Sequence, residues 1–203
     1  MGEADRQGPG TRNTGRVLPL SAFEIELGGA IDASRLAQID AIFFAASNTQ
    51  QFADEPERDA FRERWLGRYL DRYRQHVFLA LSSDEHIIGY LAGCLDDAAH
   101  QPLFADIGYF AALADLTQLY PAHLHINLDA ACRGRGIGAR LIEAFCARAA
   151  ASRCRGVHVV TGEGARNVRF YERCGFHPLR AFTWNASRLV ILGRALRPHP
   201  WLS

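Results

Sequence analysis

The chain contains no lysine: all of its 23 basic side chains are arginines, set against 22 carboxylates for a formal net charge of +1. Modification of its own lysines is thereby excluded, and any phosphate it binds must be met by guanidinium or backbone groups. A balance this close to neutral gives no electrostatic case for a nucleic-acid partner. The five cysteines, Cys94, Cys132, Cys146, Cys154 and Cys174, form no Cys-x-x-Cys pair. Their odd number and spacing argue against a disulfide framework and against a zinc site, so no metal is expected, and buried thiols of this kind act as small hydrophobes. No apolar run approaches the roughly 20 residues that span a bilayer, and the amino terminus has no signal-peptide core. A cytoplasmic protein without a membrane partner is the expectation. No internal repeat is visible.

What is present describes an ordinary globular chain: 203 residues, 48% of them hydrophobic, enough for one well-buried core but not for two comfortable domains. Residues 1–16 hold almost no large apolar side chain and read as a flexible tail, leaving 17–203 as a single domain. Phe23 to Leu27 alternates as a strand, and a helix begins near Asp32 or Ser34 with Leu36, Ile39 and Phe43 inward. A second helix is expected from about Asp54 to Gln75, with Phe61, Trp65, Tyr69 and Tyr73 at four-residue spacing. That stripe reads as core packing before it reads as a substrate cleft. Val77 to Leu81 and His86 to Leu95 form a hairpin. The stretch Asp96 to Tyr120 follows, with a short helix around Phe110 to Leu119, and its length suggests a functional loop. The remaining pattern is a strand at His123 to Asp129, a helix at Gly138 to Ala151, a strand at Val157 to Thr161 and a helix at Asn167 to Cys174. Two strands, Leu179 to Trp184 and Arg188 to Ala195, close it. The fold class expected is α/β, a central mixed β-sheet with helices on both faces.

Chemistry concentrates between His123 and Phe176. Arg133-Gly134-Arg135-Gly136-Ile137-Gly138 follows a strand and opens a helix. A helix amino terminus presents N–H groups without intrahelical partners and a partial positive charge. Glycines let a pyrophosphate approach the backbone, so the turn is an anion cradle. The spacing is neither Gly-x-Gly-x-x-Gly nor a loop ending Gly-Lys-Ser/Thr, which excludes the common dinucleotide and nucleotide loops.

Arg133-x-x-Gly136-x-Gly138 resembles motif A of the GNAT acetyltransferases, (Gln/Arg)-x-x-Gly-x-(Gly/Ala). Phe170-Tyr171-Glu172-Arg173-Cys174-Gly175-Phe176 resembles the family's motif B ending, Phe-Tyr-x-x-x-Gly-Phe. The resemblance implies a GNAT-like fold with a V-shaped opening between the strand ending at Asp129 and the strand Val157 to Thr161, acetyl-CoA as cosubstrate, and a primary amine as acceptor, either a small molecule or a protein lysine. It implies that Arg133, Gly134, Arg135, Gly136, Ile137, Gly138 and Ala139 hold the pyrophosphate, with Ile126, Asn127 and Leu128 alongside the thioester. Tyr171 falls at the family's general-acid position. A phenol with a reference pKa of about 10 stays protonated at neutral pH and can donate to a departing thiolate.

For the base, the strand offers a polar face, His123, His125, Asn127 and Asp129, alternating with Leu124, Ile126 and Leu128. Its position inside a covered sheet suggests a cleft. His125 has an intrinsic pKa suited to a base near neutrality, and Asp129 or Glu163 could act through water. The run Leu119-Tyr120-Pro121-Ala122-His123-Leu124-His125-Ile126-Asn127-Leu128 is similar to the acetyltransferase-like domains related to the carboxy-terminal region of O-linked N-acetylglucosamine hydrolases. Those carry Asp where this chain has Asn127, and an amide cannot accept a proton. The Asn that the family often carries after the fifth strand corresponds to Gly164 here, and the resemblance leaves Asn167, three residues on, as the candidate side-chain contact to the cofactor. A catalytic acetyltransferase and a degenerate module that binds acetyl-CoA or a protein partner without turnover both remain open, as does pairing into a homodimer through the terminal strands.

Overall fold

The computed structural model describes residues 23–196, so the expected tail at 1–16 lies outside the described residues. The order is β1 (Phe23–Leu27), α1 (Ala33–Ala46), α2 (Glu55–Arg62), a π-turn (Glu63–Gly67), α3 (Arg68–Arg72), β2 (Val77–Ser82), β3 (Ile87–Cys94), two one-turn helices α4 (Tyr109–Ala112) and α5 (Ala114–Thr117), then β4 (Ala122–Leu128), α6 (Ile137–Ala151), β5 (Gly156–Gly162), α7 (Arg166–Arg173), β6 (His177–Trp184) and β7 (Ser187–Ala195). The strands form one sheet ordered β1-β2-β3-β4-β5-β7-β6. Every neighbouring pair is antiparallel except β4 with β5. This is the mixed α/β sheet expected.

Period-two alternation sends side chains of each central strand to two separate cores. Leu79, Tyr90, Ala92 and Cys94 join Ile39 and Phe43 of α1 and Leu66, Tyr69 and Leu70 of the second helix on one face. Phe78, Leu91 and Leu124 join Leu141, Ile142, Phe145 and Cys146 of α6 on the other. Helices therefore cover both faces. Asp32 caps α1 and Asp54 caps α2 by accepting from backbone N–H groups at 2.8 and 2.9 Å, as the preference for a short carboxylate at that position requires.

The single helix expected over Asp54 to Gln75 is instead interrupted by the π-turn. Residues four apart drift by about 40° per step on a 3.6-residue helix. The wider turn takes up that drift, so the aromatic stripe keeps facing the sheet. Tyr69 ends fully buried and Trp65 only partly so. The one helix expected at Phe110 to Leu119 is two single turns, and Asp129 lies just past β4 rather than within it.

Candidate active site

β4 and β5 pair only at Ala122 with Val157 and His123 with His158. Beyond that point β4 runs on to Leu128 against β3, and β5 to Gly162 against β7, each fully paired on its outer side only. The two strands thus splay apart in the middle of the sheet. Alternate backbone groups of Leu124 to Leu128 face the gap without a ladder partner.

At the wide end of the gap stands the glycine turn. Gly134 and Gly136 have φ of +76° and +80°, and a Cβ at either would meet nothing within 4 Å. The left-handed backbone, not crowding within the protein, is what requires glycine there. Gly136 caps α6 with no side-chain hydrogen bond to the helix, which leaves the first-turn N–H groups aimed outward, ready for an anion. Ile137 is buried in the α6 core and anchors the turn, while the Arg133 guanidinium donates to the Leu128 carbonyl at 3.4 Å. Ala139 is exposed in the first turn of α6. A Cβ on Gly138 would come within 3.0 Å of the Phe170 ring and 3.4 Å of Leu128. The two sequence motifs and the end of β4 therefore meet at one point.

Tyr171 is buried in the α6 core beside Phe170 and Phe176, with ring centroids 5.2 and 5.7 Å away. Burial, with a minor contribution from Cys174, raises its pKa well above the ordinary phenol value, so the hydroxyl is protonated at any working pH. Asn167 accepts a hydrogen bond from Thr161 Oγ1 at 2.9 Å, which joins the start of α7 to the end of β5.

The polar face of β4 is not an open cleft. His123 is buried among Tyr69, Phe104, Phe110 and His158, and neither of its ring nitrogens has a hydrogen-bond partner among the described residues. Aromatic rings from the second helix and the 95–121 connection fill the space that sequence alternation left open. His125 lies further along, its Nε2 sharing a 3.1 Å hydrogen bond with the Tyr69 hydroxyl, in a direction set by the imidazole tautomer. Trp65 stands edge-on to it at 5.6 Å. Burial first, then the Arg68 and His158 charges, lowers the His125 pKa to about 4, below the neutral range suited to a base. The Asn127 amide donates to the Tyr90 hydroxyl at 2.8 Å. Asp129 accepts from the Ala131 N–H at 2.8 Å and so caps a short turn, and Glu163 pairs with Arg188 at 2.8 Å. Trp65, Tyr69 and His158 were not singled out from sequence as site residues. They reach β4 from 35 or more positions away in the chain, and no local pattern carries such contacts.

The splayed parallel pair and the open helix terminus at its mouth define the class. The acetyltransferase (GNAT) family model matches residues 41–176, and the chain belongs to that family. Its fold is similar to that of SsHAT, at 22% identity and a TM-score of 0.65 over 87% of this chain and 99% of that one. It is also similar to the NatC complex solved with Gag peptide and CoA, at 14% identity and a TM-score of 0.60 over 87% and 99%. An agmatine N-acetyltransferase matches at 13% identity and a TM-score of 0.61 over 86% and 100%.

Proposed function

We propose that the protein transfers the acetyl group of acetyl-CoA to a primary amine by direct attack. The observation that carries this reading is the gap between β4 and β5, which opens toward an uncapped helix terminus carrying two left-handed glycines. An extended pantetheine arm suits the gap, where it can take the place of the missing strand while backbone groups of β4 polarise the acetyl carbonyl. A pyrophosphate suits the turn from Arg133 to Ala139. Tyr171, held protonated by burial, supplies a proton to the thiolate as the tetrahedral intermediate collapses. The run Leu119 to Leu128 supports placing the chain nearest the acetyltransferase-like domains related to O-linked N-acetylglucosamine hydrolases.

A second reading has its own observation. Asn127, Asp129 and Glu163 are each engaged by a neighbour, and His125 is held far from basicity. Such a site suits a module that binds acetyl-CoA without turnover, or one in which the acceptor loses its proton to solvent. Thermal stability with and without acetyl-CoA tests what both readings share. Saturation at 100 times the dissociation constant stabilises by about 2.7 kcal/mol, which raises Tm by about 5 to 11 °C in a domain of this size. No shift at millimolar acetyl-CoA overturns both. Release of CoA in the presence of an amine then separates them.

A further inference from the structure

About two to five residues suffice to join antiparallel neighbours, yet β3 and β4 are connected by the whole segment 95–121. That segment lies on the face of the sheet opposite α6, the face from which an acceptor would meet the gap. It covers the β5-β7-β6 half of that face. Phe110 packs on His158 at 5.8 Å, Tyr109 on Phe182 at 5.9 Å, and Arg180 of β6 holds Asp115 with two hydrogen bonds at 3.0 and 2.5 Å. At its outer end Gly108 lies under Trp184, whose ring would be 2.6 Å from a Cβ there.

The same segment is fastened to the other half of the face. Arg68 donates to both carboxylate oxygens of Asp106 at 2.8 and 2.9 Å and to the Leu103 carbonyl at 2.6 Å, while Arg64 donates to Asp106 at 2.8 Å. The segment is therefore a strap locked to α3 on one side and β6 on the other. An extended polypeptide acceptor needs an open groove and free backbone partners, and the strap fills the half of the face where such a groove would run.

What is left beside the splayed part of β4 is aromatic and uncharged. Trp65 and Tyr69 stand over His125, which is neutral at working pH. The four acidic side chains of the strap are all engaged: Asp96 by the Tyr73 hydroxyl, Asp97 by His100, Asp106 by two arginines and Asp115 by Arg180. Asp106 and Asp115 are thereby neutralised by arginines, so at the seams of the strap an additional positive charge finds no unpaired carboxylate.

Building on the acetyl-transfer reading, we propose that the acceptor is a small monoamine with an aromatic or apolar body, packed against the partly exposed Trp65 at the splayed part of β4, and that the strap excludes polypeptide acceptors. The test is a ladder of three probes, 2-phenylethylamine, spermidine and a lysine-containing peptide. Binding to the CoA-loaded protein is followed by calorimetry and acetylation by thiol release. Phenylethylamine is expected to bind and to exceed the other two in kcat/KM by about tenfold or more, the scale of a matched apolar contact. Trp65→Leu should raise its KM by about tenfold while the KM for acetyl-CoA holds. If that variant does not fold, the wild-type ladder decides alone. Preference for spermidine or for the peptide overturns the proposal, as does failure of phenylethylamine to bind a protein that acetyl-CoA stabilises. Absence of acetyl-CoA stabilisation removes the underlying reading instead.

Discussion

Tyr171 sits where a buried side chain and a reactive one make opposite demands. A core aromatic needs only its ring, which here packs between Phe170 and Phe176. A proton donor needs a protonated hydroxyl, which burial secures by disfavouring the phenolate while also making the group a weaker acid. Tyr171→Phe separates the two demands, because it keeps the ring and deletes the donor. If the hydroxyl is the general acid, kcat should fall by about 10²- to 10⁴-fold, the usual range for such a group. The rise in Tm on adding acetyl-CoA should be unchanged. A wild-type rate in the variant would leave Tyr171 as packing alone. Tyr171 was visible in the sequence because its motif is local. The partners of His125 were not, since Tyr69 lies 56 positions away and contributes nothing to the pattern around β4.

Among the elements, α6 would carry the proposed anion site through its amino terminus, and that cradle depends on the backbone at Gly136. A methyl group there strikes no protein atom, yet the φ of +80° is costly for any residue with a Cβ, by about 1 to 2 kcal/mol. Gly136→Ala should therefore lower Tm modestly and weaken acetyl-CoA binding markedly, because it strains the left-handed turn that presents the N–H groups of the helix terminus. Calorimetric titration of the variant against wild type checks this, and equal affinities would remove the turn as an anchor. The turn and α6 were legible because glycine spacing, the strand before them and the apolar period after them all agree. The second helix was legible only in part. Its four-residue stripe gave the helix and its buried face, but not the π-turn within it. The strap was legible only as a length, because its single helical turns carry too few residues for a period to emerge.

At the scale of the whole molecule, a mixed sheet with helices on both faces could be anticipated from the alternation of strands and helices, but its strand order and the closure of the β4 polar face could not. Alternating His and Asn reads the same whether the face meets water or rings, and the rings come from distant segments. That closure has a thermodynamic signature. His123 and His158 are stacked at 5.5 Å in the apex of the gap, and burial lowers both pKa values, that of His158 to about 4. Both must be neutral in the folded state, whereas in the unfolded chain each titrates at about 6.5. The folded protein thus binds fewer protons than the unfolded one between these values, so stability is fully present above about pH 6.5 and falls as pH drops toward 4. Each such histidine contributes a slope of up to about 1.4 kcal/mol per pH unit. Urea unfolding followed from pH 7.5 to 4.5 should show the midpoint falling steeply below pH 6.5 with little change in m. His158→Phe, which keeps a ring in the aromatic cluster and removes the proton site, should be less stable at neutral pH, because it loses the hydrogen bond between Nδ1 and the Tyr120 carbonyl. Its stability should also vary less with pH. A variant whose stability has the same acid slope as wild type would show that His158 titrates alike in the folded and unfolded chain.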